Sequence, residues 1–259
     1  MPSLQGKIAL VTGSTSGIGK GIADHFSSLG ARVVVHGPDL ASAQSTAETM
    51  RASGHHEVRA VAGDLREADA CRQVVRAAVE QHGGIDVLVN NAGSTARSSL
   101  EDATVEQWDA IMAVNLRAPF LCLQEAVRSM KARGGGSIVN IGSINAYVGL
   151  PALGPYSISK GGLMTMTKNA ALALGRYRIR VNQLNVGWTL TEGEEKVQRS
   201  DGKGPDWLQD AVATRPWGRL LLPADIALAA AYFASDDSAL VSGAVIDVEQ
   251  FPVGALPAW

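Results

Sequence analysis

The stretch Ile8-Ala9-Leu10-Val11-Thr12-Gly13-Ser14-Thr15-Ser16-Gly17-Ile18-Gly19 decides the fold of this 259-residue chain. It begins as a short apolar run, which is typical of a buried strand, and passes through a glycine-rich turn into an amphipathic helical pattern. The glycines permit a tight turn and let the backbone approach a ligand, and the N-terminus of the following helix favours an anion. The stretch therefore predicts a strand, a phosphate-binding turn and a helix.

The same alternation of strand and helix continues outward from this stretch. The predicted strands are Ile8–Thr12, Arg32–His36, Val58–Ala62, Val87–Asn90, Ser137–Ile141, Arg180–Leu184 and Val245–Val248. The predicted helices are Ile18–Leu29, Leu40–Ser53, Glu67–His82, Thr104–Arg133, Tyr156–Tyr177 and Asp225–Ala234. Continuous apolar runs such as Val33-Val34-Val35 indicate strands that are buried on both faces. The predicted fold class is therefore α/β, a doubly wound parallel sheet with helices on both faces.

Composition and charge exclude several classes of protein. The chain is 46% hydrophobic and 19% charged, and its 23 basic and 25 acidic residues give a net charge of −2 without a polybasic run, so we expect no nucleic-acid partner. No signal-peptide pattern and no apolar stretch of about 20 residues is evident, so we expect no membrane association. Cys71 and Cys122 form no disulfide or metal pattern, and His55-His56 lacks accompanying ligands. We therefore expect no metal and a reducing, cytoplasmic location.

Three polar residues near the carboxyl ends of the strands carry the candidate chemistry. In an open parallel sheet, ligands bind beyond these ends. Tyr156 and Lys160 are four residues apart at the start of a helix and project from one face. A nearby ammonium group favours the phenolate of a tyrosine, whose pKa is otherwise about 10. Ser143 leaves a strand thirteen residues earlier, so we expect its hydroxyl to bind the same reacting oxygen.

With these motifs in order, the chain resembles a classical short-chain dehydrogenase/reductase over nearly its full length. The resemblance implies a single Rossmann-type domain over residues 1–259 and hydride transfer between a nicotinamide and a substrate carbon. It implies the catalytic set Asn115, Ser143, Tyr156 and Lys160. In that set Tyr156 is the acid/base, Ser143 orients and polarises the substrate oxygen, Lys160 holds the nicotinamide ribose and lowers the tyrosine pKa, and Asn115 supports a proton relay through water.

The resemblance also implies the cofactor contacts. Asp64-Leu65 matches the adenine-side contact of the family, and Asn90-Asn91-Ala92-Gly93 matches the turn that supports the central strand. The family usually has Pro-Gly where this chain has Val186-Gly187, so the turn loses a fixed φ angle and we expect altered lid geometry with retained binding. The expected cofactor-binding residues are Gly13, Ser16, Gly17, Ile18, Gly19, Gly37, Asp64, Leu65, Asn91, Ala92, Gly93, Tyr156, Lys160, Gly187, Thr189 and Thr191.

The residues after the second predicted strand favour NAD over NADP. Many relatives carry an acidic residue for the ribose 2′-hydroxyl where this chain has Gly37, and NADP enzymes often carry an arginine where it has Pro38. Ser16 is not basic either, and a 2′-phosphate buried without a cation would be costly. NADP remains the alternative if a distant cation such as Arg59 reads the phosphate. The Asp39 side chain is predicted to be a helix N-cap.

A polar segment over residues 188–218 is predicted to be a substrate lid. It follows a strand's carboxyl end and holds three of the five tryptophans, whose faces suit either a sugar or simple packing. Arg97 is positioned either to meet an anionic substrate group or to remain solvated. The candidate substrate contacts are Arg97, Ser143, Asn145, Tyr147 and Trp188.

The leading hypothesis is an NAD(P)-dependent oxidoreductase that interconverts a secondary alcohol and a ketone, or a sugar hemiacetal and its lactone. Its expected small-molecule substrate is a sugar or polyol. One alternative is an NADPH-dependent carbonyl reductase of the 3-oxoacyl type, and another is a non-enzymatic nucleotide-binding regulator, against which the intact catalytic set argues. The resemblance, two long helices and an apolar tail from Phe251 to Trp259 suggest a homotetramer.

Overall fold

A computed structural model describes residues 2–55, 57–147 and 149–253, and at its centre lies a seven-stranded parallel sheet. The strands are β1 (Ile8–Val11), β2 (Arg32–Gly37), β3 (Val58–Ala62), β4 (Val87–Asn90), β5 (Gly136–Ser143), β6 (Ile179–Val186) and β7 (Val245–Val248). Their spatial order is β3-β2-β1-β4-β5-β6-β7, and every neighbouring pair is parallel. The order reverses between β1 and β4, which is where an open α/β sheet forms its ligand crevice.

Nine α-helices connect and cover the strands in the described part of the chain. They are α1 (Gly17–Ser28), α2 (Leu40–Ala52), α3 (Ala68–His82), α4 (Val105–Met112), α5 (Ala118–Ala132), α6 (Gly154–Leu174), α7 (Glu192–Ser200), α8 (Trp207–Ala213) and α9 (Pro223–Ala234). The predicted doubly wound α/β sheet is confirmed, including a helix start set by the reciprocal capping bonds of Thr104 and Gln107.

Each face of the sheet has its own hydrophobic core. On one face α1 and α9 pack against the sheet, with Phe26 and Phe233 fully buried. On the other face α3, α5 and α6 pack, with Cys122 and Met130 at the centre. Successive strand residues point to opposite faces, so neighbours such as Leu10 and Val11 belong to different cores. This double burial fixes the position of the strand ends that carry the polar residues.

The predicted helix Thr104–Arg133 is interrupted by a single wide turn. Residues Ala113–Arg117 form a π-helical turn between α4 and α5. By length and composition the combined stretch Val105–Ala132 is apolar enough to cross a membrane, but 56% of its most apolar window is buried inside the fold. Core helices of globular proteins meet the same criterion, so the burial favours a core helix.

The polar segment predicted as a lid is folded rather than irregular. Between residues 188 and 218 the chain forms α7 and α8, and Thr191 caps α7 by accepting a hydrogen bond from the Glu194 N–H at 3.0 Å. Part of the predicted apolar tail, residues 254–259, lies outside the described residues, as does His56 of the histidine pair.

Candidate active site

The glycine-rich turn after β1 is shaped by close backbone contacts. Gly13 and Gly17 have φ angles of +62° and +54°, a region that side chains strongly disfavour. A Cβ atom on Gly13 would lie 2.8 Å from the Cα atom of Ala92, and one on Gly19 would overlap the Asn91 side chain. The turn therefore packs directly against the turn that follows β4, with no side chain at Gly13 or Gly19 to separate them. We call this glycine turn the glycine cradle.

Hydrogen bonds fix these two turns to each other. The Asn91 side-chain amide donates to the carbonyl oxygens of Thr12 and Gly13, each at 2.9 Å. The Thr12 hydroxyl accepts the N–H groups of Asn91 and Ala92 at 3.0 and 3.1 Å. The two predicted cofactor motifs are thus one rigid unit at the sheet's topological switch point.

The start of α1 leaves polar groups free to meet a phosphate. Ser16 is the N-cap residue, but its side chain makes no capping hydrogen bond. Its hydroxyl and the first N–H groups of the helix therefore have bonding capacity for an anion. Ile18, by contrast, packs against the core, so its expected cofactor contact is confined to the exposed part of the residue.

His36, at the end of β2, is a buried residue that the sequence analysis did not include in the site. Its Nδ1 atom accepts the Gly13 N–H at 3.0 Å, and its Nε2 atom lies 3.0 Å from the Gly63 carbonyl oxygen. An acceptor at Nδ1 and a donor at Nε2 require the neutral tautomer. Burial lowers the pKa of His36, which also favours the neutral ring. The neutral His36 ring therefore holds the glycine turn in place by accepting the Gly13 N–H.

The predicted adenosine end of the groove holds few uncommitted charges. A Cβ atom on Gly37 would lie 2.7 Å from the Thr15 methyl carbon and 2.9 Å from the Ser42 hydroxyl, so no acidic side chain fits there without movement. Asp39 caps α2 by accepting the Ser42 N–H at 2.9 Å, as predicted. Hydrogen bonds from Ser42 hold the pKa of Asp39 below its usual value.

The predicted adenine contact Asp64-Leu65 follows β3. The Asp64 carboxylate accepts two-pronged hydrogen bonds from the Arg66 guanidinium, which lowers the pKa of Asp64. Leu65 is buried, and its carbonyl oxygen accepts from the Cys71 thiol at 3.3 Å. The negative charge of Asp64 is thus matched by a neighbour two residues along the chain.

The structure brings Asn115, Ser143, Tyr156 and Lys160 together beyond the ends of β4 and β5. Asn115 lies in the π turn and is fully buried. Its amide accepts the Ser94 N–H at 2.8 Å and donates to the Ser94 carbonyl oxygen at 2.9 Å. The side chain is thereby committed to positioning the loop after β4, and the wide turn directs it there.

Lys160 is fully enclosed, next to the turn after β4. Its ammonium donates to the Ile141 carbonyl oxygen at 2.8 Å. A Cβ atom on Gly93 would lie 3.6 Å from Lys160 Nζ. Desolvation lowers the pKa of Lys160 to about 8, so the side chain still carries most of its positive charge at neutral pH.

The pKa of Tyr156 is raised above its usual value, and the lowering effect expected of Lys160 stays a prediction. Burial is the largest cause, the Ser143 hydroxyl opposes it by hydrogen bonding, and the negative charge of Glu194 adds to the increase. Lys160 Nζ lies 5.7 Å from the centre of the tyrosine ring and donates its hydrogen bond to the Ile141 carbonyl oxygen rather than to the phenol. The hydrogen bond of the Ser143 hydroxyl lowers the pKa of Tyr156.

The residues after β6 are those that the family resemblance implies for the nicotinamide side of the cofactor. Gly187 donates its N–H to the Val248 carbonyl oxygen at 3.0 Å, and a Cβ atom there would overlap the Glu249 carboxylate. The Thr189 hydroxyl donates back to the Gly187 carbonyl oxygen at 3.0 Å. Thr191 lies over the glycine turn, since its methyl carbon would be 3.5 Å from a Cβ atom on Gly17.

The five candidate substrate contacts do not all have open polar groups. Asn145 donates its N–H to the Ser143 hydroxyl at 3.1 Å. The Tyr147 hydroxyl donates to Asp247 at 3.1 Å, on an exposed surface. Arg97 forms an ion pair with Asp201 at 2.7 Å, so its charge is not available to an anionic substrate group without breaking that pair.

Trp188 is held inside a small cluster of lid side chains. Its indole N–H donates to the Glu194 carboxylate at 2.6 Å, and its ring lies 6.2 Å from the ring of Trp207. The sequence analysis missed Glu194, although the Thr191-x-x-Glu194 spacing is a capping signal that indicates a helix here. Trp217, the third lid tryptophan, is 71% exposed and outside this cluster.

No group of three or more metal-binding side chains occurs within residues 2–55, 57–147 and 149–253. The predicted catalytic groups are a phenol, a hydroxyl, an amide and an ammonium. These groups can move a proton to or from an oxygen atom. The backbone of the glycine-rich turn can hold a sugar–phosphate ligand.

The chain is similar to known proteins over most of its length. A family model described as enoyl-(acyl carrier protein) reductase matches residues 13–250. An NADP-dependent (R)-specific alcohol dehydrogenase from Lentilactobacillus kefiri is 36% identical, with 95% of this chain and 96% of that protein covered. A gluconate 5-dehydrogenase from Gluconobacter oxydans is 35% identical over 95% of this chain and 94% of its own.

A solved structure shows the same likeness in three dimensions. L-sorbose reductase from Gluconobacter frateurii, solved with NADPH and L-sorbose, superposes with a TM-score of 0.92. It is 29% identical, and the match covers 98% of this chain and 99% of that one.

Proposed function

Since the chain belongs to the short-chain dehydrogenase/reductase family, whose members are oxidoreductases acting on alcohol or carbonyl groups, we propose that it oxidises or reduces a sugar or polyol at a secondary carbon. The observation that carries this proposal is the meeting of the Ser143 and Tyr156 hydroxyls beside a fully buried Lys160. The reaction converts a secondary alcohol and an oxidised nicotinamide into a ketone, a reduced nicotinamide and a proton, or runs in reverse. A hemiacetal and its lactone are related in the same way.

The proton in this reaction moves through Tyr156. In the oxidation direction, the phenolate oxygen takes the proton of the substrate hydroxyl, and in reduction the phenol donates it to the carbonyl oxygen. Ser143 donates a hydrogen bond to the same substrate oxygen. The Lys160 ammonium contributes a positive charge that becomes favourable as the phenolate forms.

The residues present fit a dinucleotide. The glycine cradle, the open N-terminus of α1 and the buried Lys160 would hold its pyrophosphate and nicotinamide ribose. When bound, the nicotinamide supplies or accepts the hydride at the substrate carbon. We propose NAD in preference to NADP, because Arg66 is the one cation in the described loops 12–19, 37–40 and 63–66 and it is already paired with Asp64.

Two other cations do not alter this preference for NAD. Arg59 lies opposite Val34 in the sheet, three residues before the end of β2, and its charge adds to the burial that lowers the pKa of His82 at the end of α3. Lys20 is paired with Asp24 at 2.7 Å within α1. The sugar-acting relatives support the substrate class, whereas the NADP-dependent alcohol dehydrogenase and the NADPH complex of L-sorbose reductase support the alternative cofactor.

The first experiment measures cofactor choice and then substrate choice. Fluorescence titrations with NADH and NADPH in parallel give the two dissociation constants, and turnover is then measured with sugars, polyols and hydroxy acids. We expect tighter NADH binding and sugar- or polyol-dependent reduction of NAD. Tighter NADPH binding together with turnover of acyl thioesters would overturn the proposal in favour of a 3-oxoacyl reductase, and the absence of any turnover would favour a nucleotide-binding regulator.

We also propose a homotetramer in the cytoplasm. A 600 Å³ apolar groove on α4, the π turn, α5 and α6 supports an association surface, and Phe120 on it is 44% exposed. Both cysteines are free and buried, which agrees with a reducing compartment. Fractionation of cells that produce the protein tests its location.

A further inference from the structure

Helix α7 crosses the region above the catalytic residues and is fixed near both ends. Its N-cap residue Thr191 lies against the glycine turn at Gly17. Its C-cap residue Asp201 forms the 2.7 Å ion pair with Arg97, on the loop after β4. That loop is bound in turn to the start of α6, because the Ser98 N–H donates to the Ala152 carbonyl oxygen at 2.9 Å and the Ser98 carbonyl oxygen accepts the Gly154 N–H at 3.1 Å.

Glu194 occupies the first turn of α7, and its carboxylate has one engaged and one open oxygen. The Oε1 atom accepts the Trp188 indole N–H at 2.6 Å and the Gln198 amide at 2.7 Å. Within the described part of the chain, no hydrogen bond reaches Oε2. The carboxylate is close enough to Tyr156 for its negative charge to raise the pKa of the phenol, and α7 holds it between the glycine turn at Gly17 and the loop after β4.

None of the cations near this carboxylate forms an ion pair with it in the described part of the chain, although the buried Nε atom of Arg215 makes no hydrogen bond there. Arg97 is paired with Asp201. Arg215 lies over the Trp188 ring at 5.3 Å and 4.0 Å from the Glu249 carboxylate. Lys160 is fully buried behind the tyrosine ring, with its ammonium on the Ile141 carbonyl oxygen. Glu194 therefore presents an acidic group near Tyr156 that has no ion-pair partner among the described residues.

We propose that Glu194 is a specificity-determining residue, whose open carboxylate oxygen accepts a hydroxyl group of a neutral polyhydroxy substrate and whose charge disfavours substrates bearing a carboxylate near the reacting carbon. This inference rests on the proposed function and narrows it to neutral sugars and polyols. A hydroxyl donor satisfies the open oxygen, whereas a second carboxylate would face it with like charge in a partly buried space.

The test compares Glu194→Gln with Glu195→Gln. The first substitution removes the charge but keeps an oxygen for the Trp188 indole, and the second removes a neighbouring charge that pairs at 3.8 Å with Arg199 on the same helix. The substrates are a polyol that the wild-type enzyme turns over and the aldonate of the same carbon skeleton. We expect Glu194→Gln to lower the ratio of polyol to aldonate kcat/KM by at least about tenfold.

A pH profile supplies a second reading. Loss of the nearby negative charge favours the phenolate of Tyr156, so the pKa governing alcohol oxidation should fall in Glu194→Gln. Glu195→Gln should leave both readings at wild-type values, and Glu194→Asp should keep the polyol preference. An unchanged ratio in Glu194→Gln, or a wild-type enzyme that prefers the aldonate, overturns the inference while the proposed function stands. A wild-type enzyme that turns over no alcohol or ketone fails the proposed function itself, and this inference with it.

Discussion

Tyr156 is held in a setting that disfavours its own ionisation. Its burial and the charge of Glu194 raise the pKa of the phenol, and only the Ser143 hydroxyl opposes them. The neighbouring Lys160 is also buried without a carboxylate partner, and its pKa is lowered to about 8. A phenolate and an ammonium formed side by side would stabilise each other, so we expect these two groups to titrate as a coupled pair.

Replacement of Tyr156 by phenylalanine tests the proton transfer at a single atom. The ring remains to fill its buried position, so we expect the dissociation constant of NADH to change little. Loss of the hydroxyl should lower kcat by about 10²- to 10⁴-fold, the usual contribution of a general acid or base. Tyr177→Phe is the matched control, because Tyr177 contacts Lys131 and Arg176 far from the site. A Tyr156→Phe enzyme with wild-type kcat would contradict the assignment.

His36 predicts a dependence of stability on pH. Its pKa in the folded protein lies below the usual 6.5, so below about pH 6.5 the unfolded chain binds a proton that the native ring does not. The free energy of unfolding should therefore fall as pH decreases from about 6.5. His36→Gln keeps an acceptor and a donor but cannot titrate, so its loss of stability between pH 7.5 and 5 should be smaller than that of the wild type.

Urea unfolding at the two pH values measures this difference. His25 and His82 also have pKa values lowered by burial, so part of the slope should persist in the variant. His55→Gln is the control, since the His55 ring makes no hydrogen bond to the described residues. Equal slopes for His36→Gln and the wild type would show that the glycine turn does not depend on a neutral ring at this position.

At the scale of elements, the ion pair between Arg97 and Asp201 joins the end of α7 to the loop after β4. Both side chains are about one third exposed, so solvent screens the pair and its contribution should stay below about 1 kcal/mol. We expect Arg97→Ala to raise the substrate KM about two- to fivefold, with cofactor affinity unchanged. Steady-state kinetics measure the effect.

A double-mutant cycle with Asp201→Asn isolates the pair. If the ion pair acts as described, the substrate KM of the double variant should be no higher than that of either single variant. Arg199→Ala is the control, because it removes the exposed arginine of α7 itself. This variant should have the KM of the wild type. Additive effects of Arg97→Ala and Asp201→Asn would show that the two side chains act independently.

Elements with local signals could be predicted from the sequence, and those set by distant contacts could not. The start of α4 at its capping box was predicted, because Thr104 and Gln107 are three residues apart. The wide turn at Ala113–Arg117 was not, because it contains neither glycine nor proline. It coincides with bonds from Asn115 to Ser94 and Ser159, residues far away in the chain.

The same distinction applies to the candidate site. Ser143, Tyr156 and Lys160 were predicted because they follow strand ends or share a helix face. The partnership of Arg97 with Asp201 joins residues more than one hundred positions apart and has no local pattern. Glu194 was overlooked because Gly193, Gly202, Gly204 and Pro205 gave the segment the composition of a loop.

At the scale of the whole molecule, the exposed apolar groove predicts self-association. We expect light scattering to give a mass of about four times the 27.1 kDa of one chain. Phe120→Glu would bury a charge in the groove's contact and should lower the measured mass. Leu40→Glu, at the half-exposed start of α2, should leave it unchanged. A wild-type mass equal to one chain would contradict the tetramer. The assignment of residues 1–259 to a single domain is a separate point and stays a prediction.

The site depends on how many residues the wide turn between α4 and α5 contains, as well as on which residues they are. An α-helix advances by about 100° per residue, and a π turn holds one residue more than an α turn. Removal of one residue between Met112 and Ala118 would join α4 and α5 into one regular helix whose flanking faces keep their register, because the wide turn absorbs the extra residue. The residues inside the turn would shift by about 100°, so Asn115 would face away from Ser94 and Ser159, and the deletion would break the hydrogen bonds that hold the loop after β4.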